Sequence, residues 1–562
     1  MRSDCIKRLG KFINRKETKL FITFLIIYIY FIQWYGWNEE SNFALTKSIV
    51  EENRFEIDSF YNLTGDRSVY QEHYYSDKDP GLSFLASPTY MIWKLVYNFF
   101  PTKFKIDHAG STGYVTELHG NVPIVTFIDR GFFIFTSMIL VTISTSVLFS
   151  SLTAVLVYKI SKYFLKNQAY RILLSLTYGI ATLAFPSALH FMTNATATFF
   201  VFLSFYLLFK IKNEKLKESK YILLAGLAAG FGIATDRFGI LLAPLLIIYS
   251  FWLNKRLSLV FLSGLFLSIL PFLLYNYTIF GNPFDLASSY IDRQIYRTAY
   301  PQSTLPIFFS NEKPENFAMM SLLNTDVIKQ LFEHFHFIPT LPNPYVIMRL
   351  LLYPYRGLLF YSPVLFLSLV GIIFMFKKYR VETTFIILAL ILFLCVISMR
   401  RTWWGGYDFG NRYLLPIVPF LMLPLAFVFD KINKKIIIFL LLISIFFNFL
   451  GLQPAEDLAY DWKAMDIRSD WLVKQNSFEI LANPLFEHYL PLTLQYGPRS
   501  AIFEHLTNGY ISIDIRFPSL SKGIDFPFSK FYVPFLVLLP VLLIEIAIWH
   551  EEIIDVIKDA IK

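Results

Sequence analysis

Charge is scarce in this sequence. Only 17% of its 562 residues are Asp, Glu, Lys or Arg, against roughly 25% in a soluble domain. Cysteine is scarcer still, with Cys5 and Cys395 the two present. One precedes the first apolar run and the other lies inside a later one, so they sit at different depths and are not expected to pair. No CxxC and no Cys/His cluster marks a metal site. There is no Gly/Ser-rich or Pro-rich linker, and no short-period repeat. These absences argue against a string of soluble domains and against a solenoid.

What the sequence has instead is apolar length. It is 55% hydrophobic and 18% aromatic, and several apolar runs reach the roughly 20 residues that cross a bilayer. They lie near 20–36, 132–158, 171–189, 194–210, 221–236, 238–253, 257–276, 357–376, 383–399, 413–430, 435–451 and 531–549. Basic residues gather between them, in KISKYFLKNQAYR (159–171), KIKNEKLKESK (210–220), NKR (254–256), KKYR (377–380) and DKINKK (430–435). If each run crosses once, all five fall on the side of the basic N-terminus. The positive-inside rule then makes both termini cytoplasmic. The same placement accounts for the net charge of +9 and argues against a nucleic-acid partner. No small-residue cleavage site follows the first run, which reads as an uncleaved helix.

The run 82–100 is set apart. As a span it would invert every later connector, and it contains Pro88 and Lys94. It reads as a helix lying in the outer interface. The expected fold is an all-α polytopic membrane protein of about 12 transmembrane helices, with interfacial helices in the first outer loop and a small mixed outer segment near the C-terminus. Residues 1–451 would form the bundle, including outer loops 37–130 and 277–356. Residues 452–530, with the alternating stretch YISIDIRF (510–517), would form an outer subdomain, and 531–562 the last helix and a cytoplasmic tail.

Four polar groups fall at the outer boundary. Glu39 and Glu40 emerge directly after the first run, where an acid can serve as general base toward an acceptor hydroxyl; helix ends also turn polar simply on leaving lipid. Asn42 to Val50 reads as an ordinary amphipathic helix, with Asp58 beyond it. In YYSDKDPGLSFLASP (74–88), Asp77, Lys78 and Asp79 precede Pro80-Gly81. A lysine there, beside the partial positive charge of a helix start, suits a lipid phosphate, unless it merely pairs with its neighbouring acids. Asp236 and Arg237 occupy a short turn between two apolar runs, Asp129-Arg130 enters the second run in the same way, and His190 stands on another outer connector. Finally, Arg400, Arg401 and Arg412 flank two Trp and three Gly in MRRTWWGGYDFGNRYLLPIVPF (399–420). Forked guanidinium donors suit phosphate oxygens, and the glycines allow close backbone approach. Together the groups suit a reaction on an anionic lipid-linked substrate.

This pattern resembles the GT-C-type glycosyltransferases, most closely the family-39-like and aminoarabinose-transferase-like enzymes that use polyprenyl-phosphate sugars. Glu39-Glu40 sits where that family places an acid after its first helix. YYSDKDPGLSFLASPTY (74–90) is similar to its Lys-Pro-Pro or Lys-x-Pro-Gly segment, and WWGGYDFGNRYLLPIVPF (403–420) to its later outer segment. The resemblance implies a polyprenyl- or dolichyl-phosphate monosaccharide as donor, and a glycan, lipid or protein acceptor on the non-cytoplasmic side. It implies transfer with inversion, an acidic base in the first outer loop, and no cofactor. It further implies phosphate contacts from Lys78 and Arg412, with Arg237 and Arg401 as additional cations; Tyr75, His190, Trp404 and Tyr413 are expected to line the pocket. Because the acid segment reads Asn-Glu-Glu where the family has Asp-Glu, the base stays open among Glu39, Glu40, Asp58 and Asp77. Trp403-Trp404 is similar to the Trp-Trp-Asp motif of oligosaccharyltransferases, but Gly405 replaces the acid, and no divalent metal is indicated. The competing reading is a lipid-linked-substrate flippase, for which the paired halves of many transporters are not evident here.

Overall fold

The computed structural model describes residues 15–33, 36–99, 115–119, 122–126, 132–214, 219–292, 341–400, 403–406, 408–453, 483–502 and 537–561. It is a helical bundle with two small antiparallel hairpins. Helix α1 is Lys16–Tyr30, α2 Trp37–Glu51, α3 Gly81–Tyr97 and α4 Phe133–Ser161. Then come α5 Gln168–Ile180, α6 Ala184–Ala188, α7 Thr193–Glu214, α8 Ser219–Thr235, α9 Ala243–Leu253 and α10 Leu257–Phe280. The second half has α11 Pro344–Leu352, α12 Pro363–Phe376, α13 Arg380–Ser398, α14 Arg412–Leu425, α15 Lys434–Leu450, α16 Leu490–Tyr496 and α17 Leu539–Ile561. Strands β1 (Arg67–Tyr70) and β2 (His73–Ser76) form one hairpin, with Arg67 opposite Ser76. Strands β3 (Val115–His119) and β4 (Val122–Thr126) form the other.

Every one of the twelve apolar runs carries helix. Among the described residues four helices are long and apolar enough to cross a membrane: α4, α7, α10 and α13. Some of the other runs are divided by polar or proline-containing breaks. The run 171–189 ends its main helix at Ile180 and resumes as the five-residue α6 around Pro186. The run 238–253 opens with a 3-10 turn, Arg237–Leu241, before α9. Starts are set by local chemistry: Asn167, Asn343, Asn411 and Asn433 each accept a backbone N–H of the turn that follows, as N-caps do.

The bundle is an integral membrane protein. Large apolar side chains stand exposed around its outside, among them Ile248, Leu259, Phe266, Ile373 and Phe439, and such a band is stable against lipid rather than water. Within it α7 is central, with 72% of its span buried, and α10 peripheral, with 22%. The basic connectors gather at one end, where Lys162 pairs with Glu17, and Lys212 donates to Glu382 at 2.6 Å. The opposite end holds the polar groups of the first outer segment.

One helix there differs in detail from expectation. Helix α2 is buried on nearly every side from Glu39 to Ser48, not an ordinary amphipathic surface helix. It lies beneath the β1–β2 hairpin and α3, and several of its polar groups are matched: the Ser83 hydroxyl donates to the Asn42 carbonyl at 2.8 Å, and Lys47 donates to Glu51 at 3.1 Å. Helix α3 buries Leu82, Ala86 and Tyr90 but exposes Met91, Ile92, Leu95 and Val96, an apolar face of the kind that rests in the interface. Most of 452–530, including YISIDIRF, lies outside the described residues; the described part, 483–502, is helical and turn-like.

Helices α8 and α10 pack through glycine. A Cβ on Gly226 would lie 2.0 Å from the Phe261 carbonyl oxygen, and one on Gly264 would lie 2.5 Å from that of Leu223. Small residues permit this backbone approach between membrane helices. Gly226→Leu is expected to destabilise the detergent-solubilised protein by about 1–3 kcal/mol, read as a lowered thermal midpoint, whereas Ser263→Leu on exposed surface of α10 should leave it unchanged.

Candidate active site

The site begins where the chain leaves α1. Gly36 and Trp37 open α2, and the Glu39 carboxylate turns back to accept the Gly36 N–H at 3.2 Å, the carboxylate half of a capping box. Its other oxygen lies 2.9 Å from His190 Nδ1, which joins the first outer segment to the α6–α7 connector. Burial favours the neutral form of Glu39, but His190 and the backbone N–H groups outweigh it and hold the carboxyl below its usual range. Glu40, one residue on, is also buried, with its backbone N–H bonded to the Gly36 carbonyl at 3.0 Å.

Strand β2 delivers the next group. Asp77 accepts from the Ser41 hydroxyl at 3.1 Å and from Lys78 Nζ at 3.0 Å, and Lys78 also reaches Asp66 at 2.8 Å. Burial is the largest influence on Asp77; with Asp66 alongside, it outweighs Lys78 and raises the carboxyl above its usual range. For Lys78, burial opposes the charge, but Asp66 and Asp77 prevail and raise its ammonium. Pro80-Gly81 then starts α3 against the end of α8: a Cβ on Gly81 would lie 2.5 Å from the Ala234 carbonyl oxygen. That close approach brings Asp79 to Arg237.

Asp79 takes Arg237 in a fork, Nη2 to Oδ1 at 2.9 Å and Nε to Oδ2 at 3.1 Å, with the Arg237 backbone N–H also donating to Oδ2 at 2.9 Å. Its remaining arm donates to Ser288. Neighbouring Asp236 accepts from Thr193 and Asn194, each at 2.8 Å, and caps its own turn through the Phe238 N–H at 2.9 Å. Burial, with Asp79 nearby, raises its carboxyl.

The last group is the segment 403–413. Gly405, Gly406 and Gly410 adopt φ of +90°, +81° and +68°, a region that favours glycine. Arg356 holds the segment in place, donating to the Gly410 carbonyl at 3.1 Å and the Gly406 carbonyl at 3.0 Å. Asn411 donates to the Trp403 carbonyl at 2.7 Å. Arg412 is thereby carried toward α2, where the Asn38 amide oxygen, turned toward it, accepts from Nη1 at 3.0 Å and Nη2 at 3.3 Å. Arg400 lies 4.9 Å from the centre of the Tyr413 ring and 5.0 Å from that of Phe238, and Arg412 lies 5.7 Å from that of Tyr413. Among the described residues, neither Arg400 nor Arg412 makes an ion pair with a carboxylate. Burial, with Arg237 nearby, lowers the Arg400 guanidinium below its usual range.

The structure therefore brings together Glu39, Glu40, Asp77, Lys78, His190, Arg237, Arg412 and Tyr413. It places three expected residues elsewhere or in other work. Asp58 is half exposed, 2.6 Å from His73 Nδ1 and accepting from the Tyr74 N–H at 2.7 Å, where it fastens the turn end of the hairpin. Tyr75 packs on Phe280 at 6.1 Å, its hydroxyl raised to about 12 by burial and nearby acids. The Trp404 ring is buried edge-on against Trp403 at 6.3 Å. Arg401, Asp129 and Arg130 lie outside the described residues. Asp79, named in the sequence beside Lys78 but given no role there, joins the site, as do Asp66, Arg356 and Asp408. Asp408 lies in the Trp- and Gly-rich segment 399–420, while Asp66 and Arg356 carry no local signal. No group of three or more His, Cys, Asp or Glu that would hold a metal occurs among the described residues.

No protein-family model and no curated protein matches the chain. Among solved structures it is similar to the archaeal oligosaccharyltransferase AglB from Archaeoglobus fulgidus in complex with an inhibitory peptide and a dolichol-phosphate. The identity is 12% and the TM-score 0.45, over 84% of this chain and 60% of that one. A crystal structure of the Archaeoglobus fulgidus oligosaccharyltransferase, tethered to an acceptor peptide containing the NVT sequon, gives 13% and 0.43, again over 84% and 60%. This chain thus matches about 60% of the length of those proteins, and likeness at this level leaves its family unassigned.

Removing one member of a buried ion pair strands the other charge, at a cost of about 3–5 kcal/mol. Asp79→Asn should therefore lower the thermal midpoint sharply. Asp79→Asn combined with Arg237→Gln should recover part of the loss, because no buried charge remains.

Proposed function

We propose that this protein is a membrane glycosyltransferase moving a monosaccharide from a polyprenyl or dolichyl phosphate to an acceptor on the non-cytoplasmic side. One observation carries the reading: Arg400 and Arg412 converge on Tyr413 at the outer end of the bundle, beside Lys78, without carboxylate partners among the described residues. Guanidinium groups at the hydrocarbon edge without a carboxylate in direct contact are costly unless a further anion joins them. A lipid phosphate entering from the bilayer supplies that anion at the right height.

In this reading Lys78, Arg400 and Arg412 hold the phosphate, and Arg401 adjoins them in sequence. Arg237 acts from behind, its donors directed to Asp79 and Ser288. The base is Asp77. Glu39 is committed to its helix cap and His190, and Asp58 to the hairpin. When Lys78 turns to the phosphate, Asp77 loses its counter-charge and its basicity rises. The acceptor proton passes to the Asp77 carboxylate as the acceptor oxygen attacks the anomeric carbon from the face opposite the phosphate. The carbon–oxygen bond to phosphate breaks, its electron pair stays on the phosphate, and the anomeric configuration inverts. A phosphate leaving group needs little acid assistance; stabilising its developing charge is the larger contribution.

The test is transfer from radiolabelled polyprenyl- and dolichyl-phosphate monosaccharides to native membrane acceptors by purified protein. Wild type should transfer from at least one donor. Asp77→Asn and Lys78→Ala should each lower kcat by about a hundredfold or more, and Arg412→Ala should raise KM as well. If every donor stays intact while reconstituted protein moves the lipid between leaflets, the flippase reading replaces this one.

A further inference from the structure

Asp408 differs from four neighbouring acids of the cluster. Asp77, Glu39, Asp79 and Asp236 each use both carboxylate oxygens as hydrogen-bond acceptors. Asp408 uses one, which accepts the Phe409 N–H at 2.8 Å. Its Oδ2 is buried and meets no donor among the described residues, and the residue is 2% exposed. Among the described residues two other buried carboxylate oxygens lack a donor, on Glu382 and Glu545, and both belong to contacts outside this cluster.

Cations stand close to Asp408. Arg412, His190 and Arg356 all act on the Asp408 charge, yet none of them donates to Oδ2. The segment cannot easily turn to meet them. Arg356 pins the carbonyls of Gly406 and Gly410 on either side of Asp408, Asn411 pins Trp403, and a Cβ on Gly410 would lie 2.5 Å from Leu183. The same glycines keep the neighbouring cation uncovered, since a Cβ on Gly406 would lie 3.3 Å from Arg412 Nη2. A fixed, buried acceptor without a donor calls for an explanation. Here it stands beside the guanidinium assigned to the phosphate.

We propose that Asp408 binds a ligand hydroxyl next to the phosphate site, from the sugar carried by the lipid or from the acceptor. This rests on the lipid-phosphate reading above and adds a selectivity group to it. A carboxylate oxygen accepts a hydroxyl proton strongly but repels phosphate, so Asp408 would separate a sugar-bearing lipid from the bare phosphate left after transfer.

The experiment measures retention by the purified full chain, using native mass spectrometry. The probes are undecaprenyl phosphate, undecaprenyl-phosphate glucose, mannose and galactose, and methyl glucoside added with undecaprenyl phosphate. Wild type should hold at least one sugar-bearing lipid more tightly than undecaprenyl phosphate. Asp408→Asn and Asp408→Ala should reduce that preference by on the order of tenfold, with undecaprenyl phosphate held as well as before or better. If the variants weaken only the glycoside arm, the hydroxyl is the acceptor's. An unchanged preference overturns the proposal. So does equal loss of all ligands with a lowered thermal midpoint in Asp408→Asn, which would make Asp408 a structural residue of its loop. If wild type retains no lipid phosphate, the lipid-phosphate reading fails and takes this inference with it.

Discussion

Asp79 and Arg237 meet through both carboxylate oxygens in a place where neither charge has ready access to bulk water. The pair joins the start of α3 to the turn between α8 and α9, and so fixes the segment before α3 to the bundle. What lies N-terminal to Asp79 inherits that position. Lys78 and Asp77 are its neighbours in sequence, Ser41 is tied to Asp77, and α2 follows Ser41 beneath the hairpin. The Glu39–His190 contact fastens the same segment at a second point. With both in place, acids from the first outer segment and cations from the second half of the chain share one small volume.

The balance of charge in that volume is uneven in a useful way. Arg237 is matched by Asp79, and Lys78 by Asp66 and Asp77. Arg400 and Arg412 instead rest on aromatic rings, chiefly Tyr413. Aromatic faces stabilise a cation by a fraction of what an anionic partner does, so these two guanidiniums keep most of their attraction for phosphate. The acids, in turn, discourage a free anion from lodging there unless it brings groups that satisfy them.

Much of this was legible in the sequence, for physical reasons. Apolar run length located the helices, since lipid demands continuous apolar surface. It did not show how many of them are full spans, because breaks such as those before α6 and α9 depend on where neighbouring helices stop. Pro80-Gly81 marked the start of α3, and the reason is visible in the backbone of Ala234 pressing on Gly81. The burial of α2 was not legible: its polar sequence reads as solvent-facing until the hairpin and α3 cover it. The pairing of Asp79 with Arg237 joins residues 158 positions apart, and no local pattern announces such a contact. Asp58 had the right chemistry in the right loop, yet it lies against the hairpin and is engaged by His73 and the Tyr74 N–H.

The central claim is that the outer cations receive a lipid phosphate. It is tested most directly by competing undecaprenyl phosphate against undecaprenol for the purified protein, in wild type and in Arg400→Ala/Arg412→Ala, across a range of salt. The account predicts that wild type prefers the phosphate by at least about tenfold, the scale of one charge-assisted hydrogen bond. That preference should largely disappear in the double variant, while undecaprenol is held equally by both. Equal retention of phosphate and alcohol by wild type, or an undiminished preference in the double variant, would contradict it.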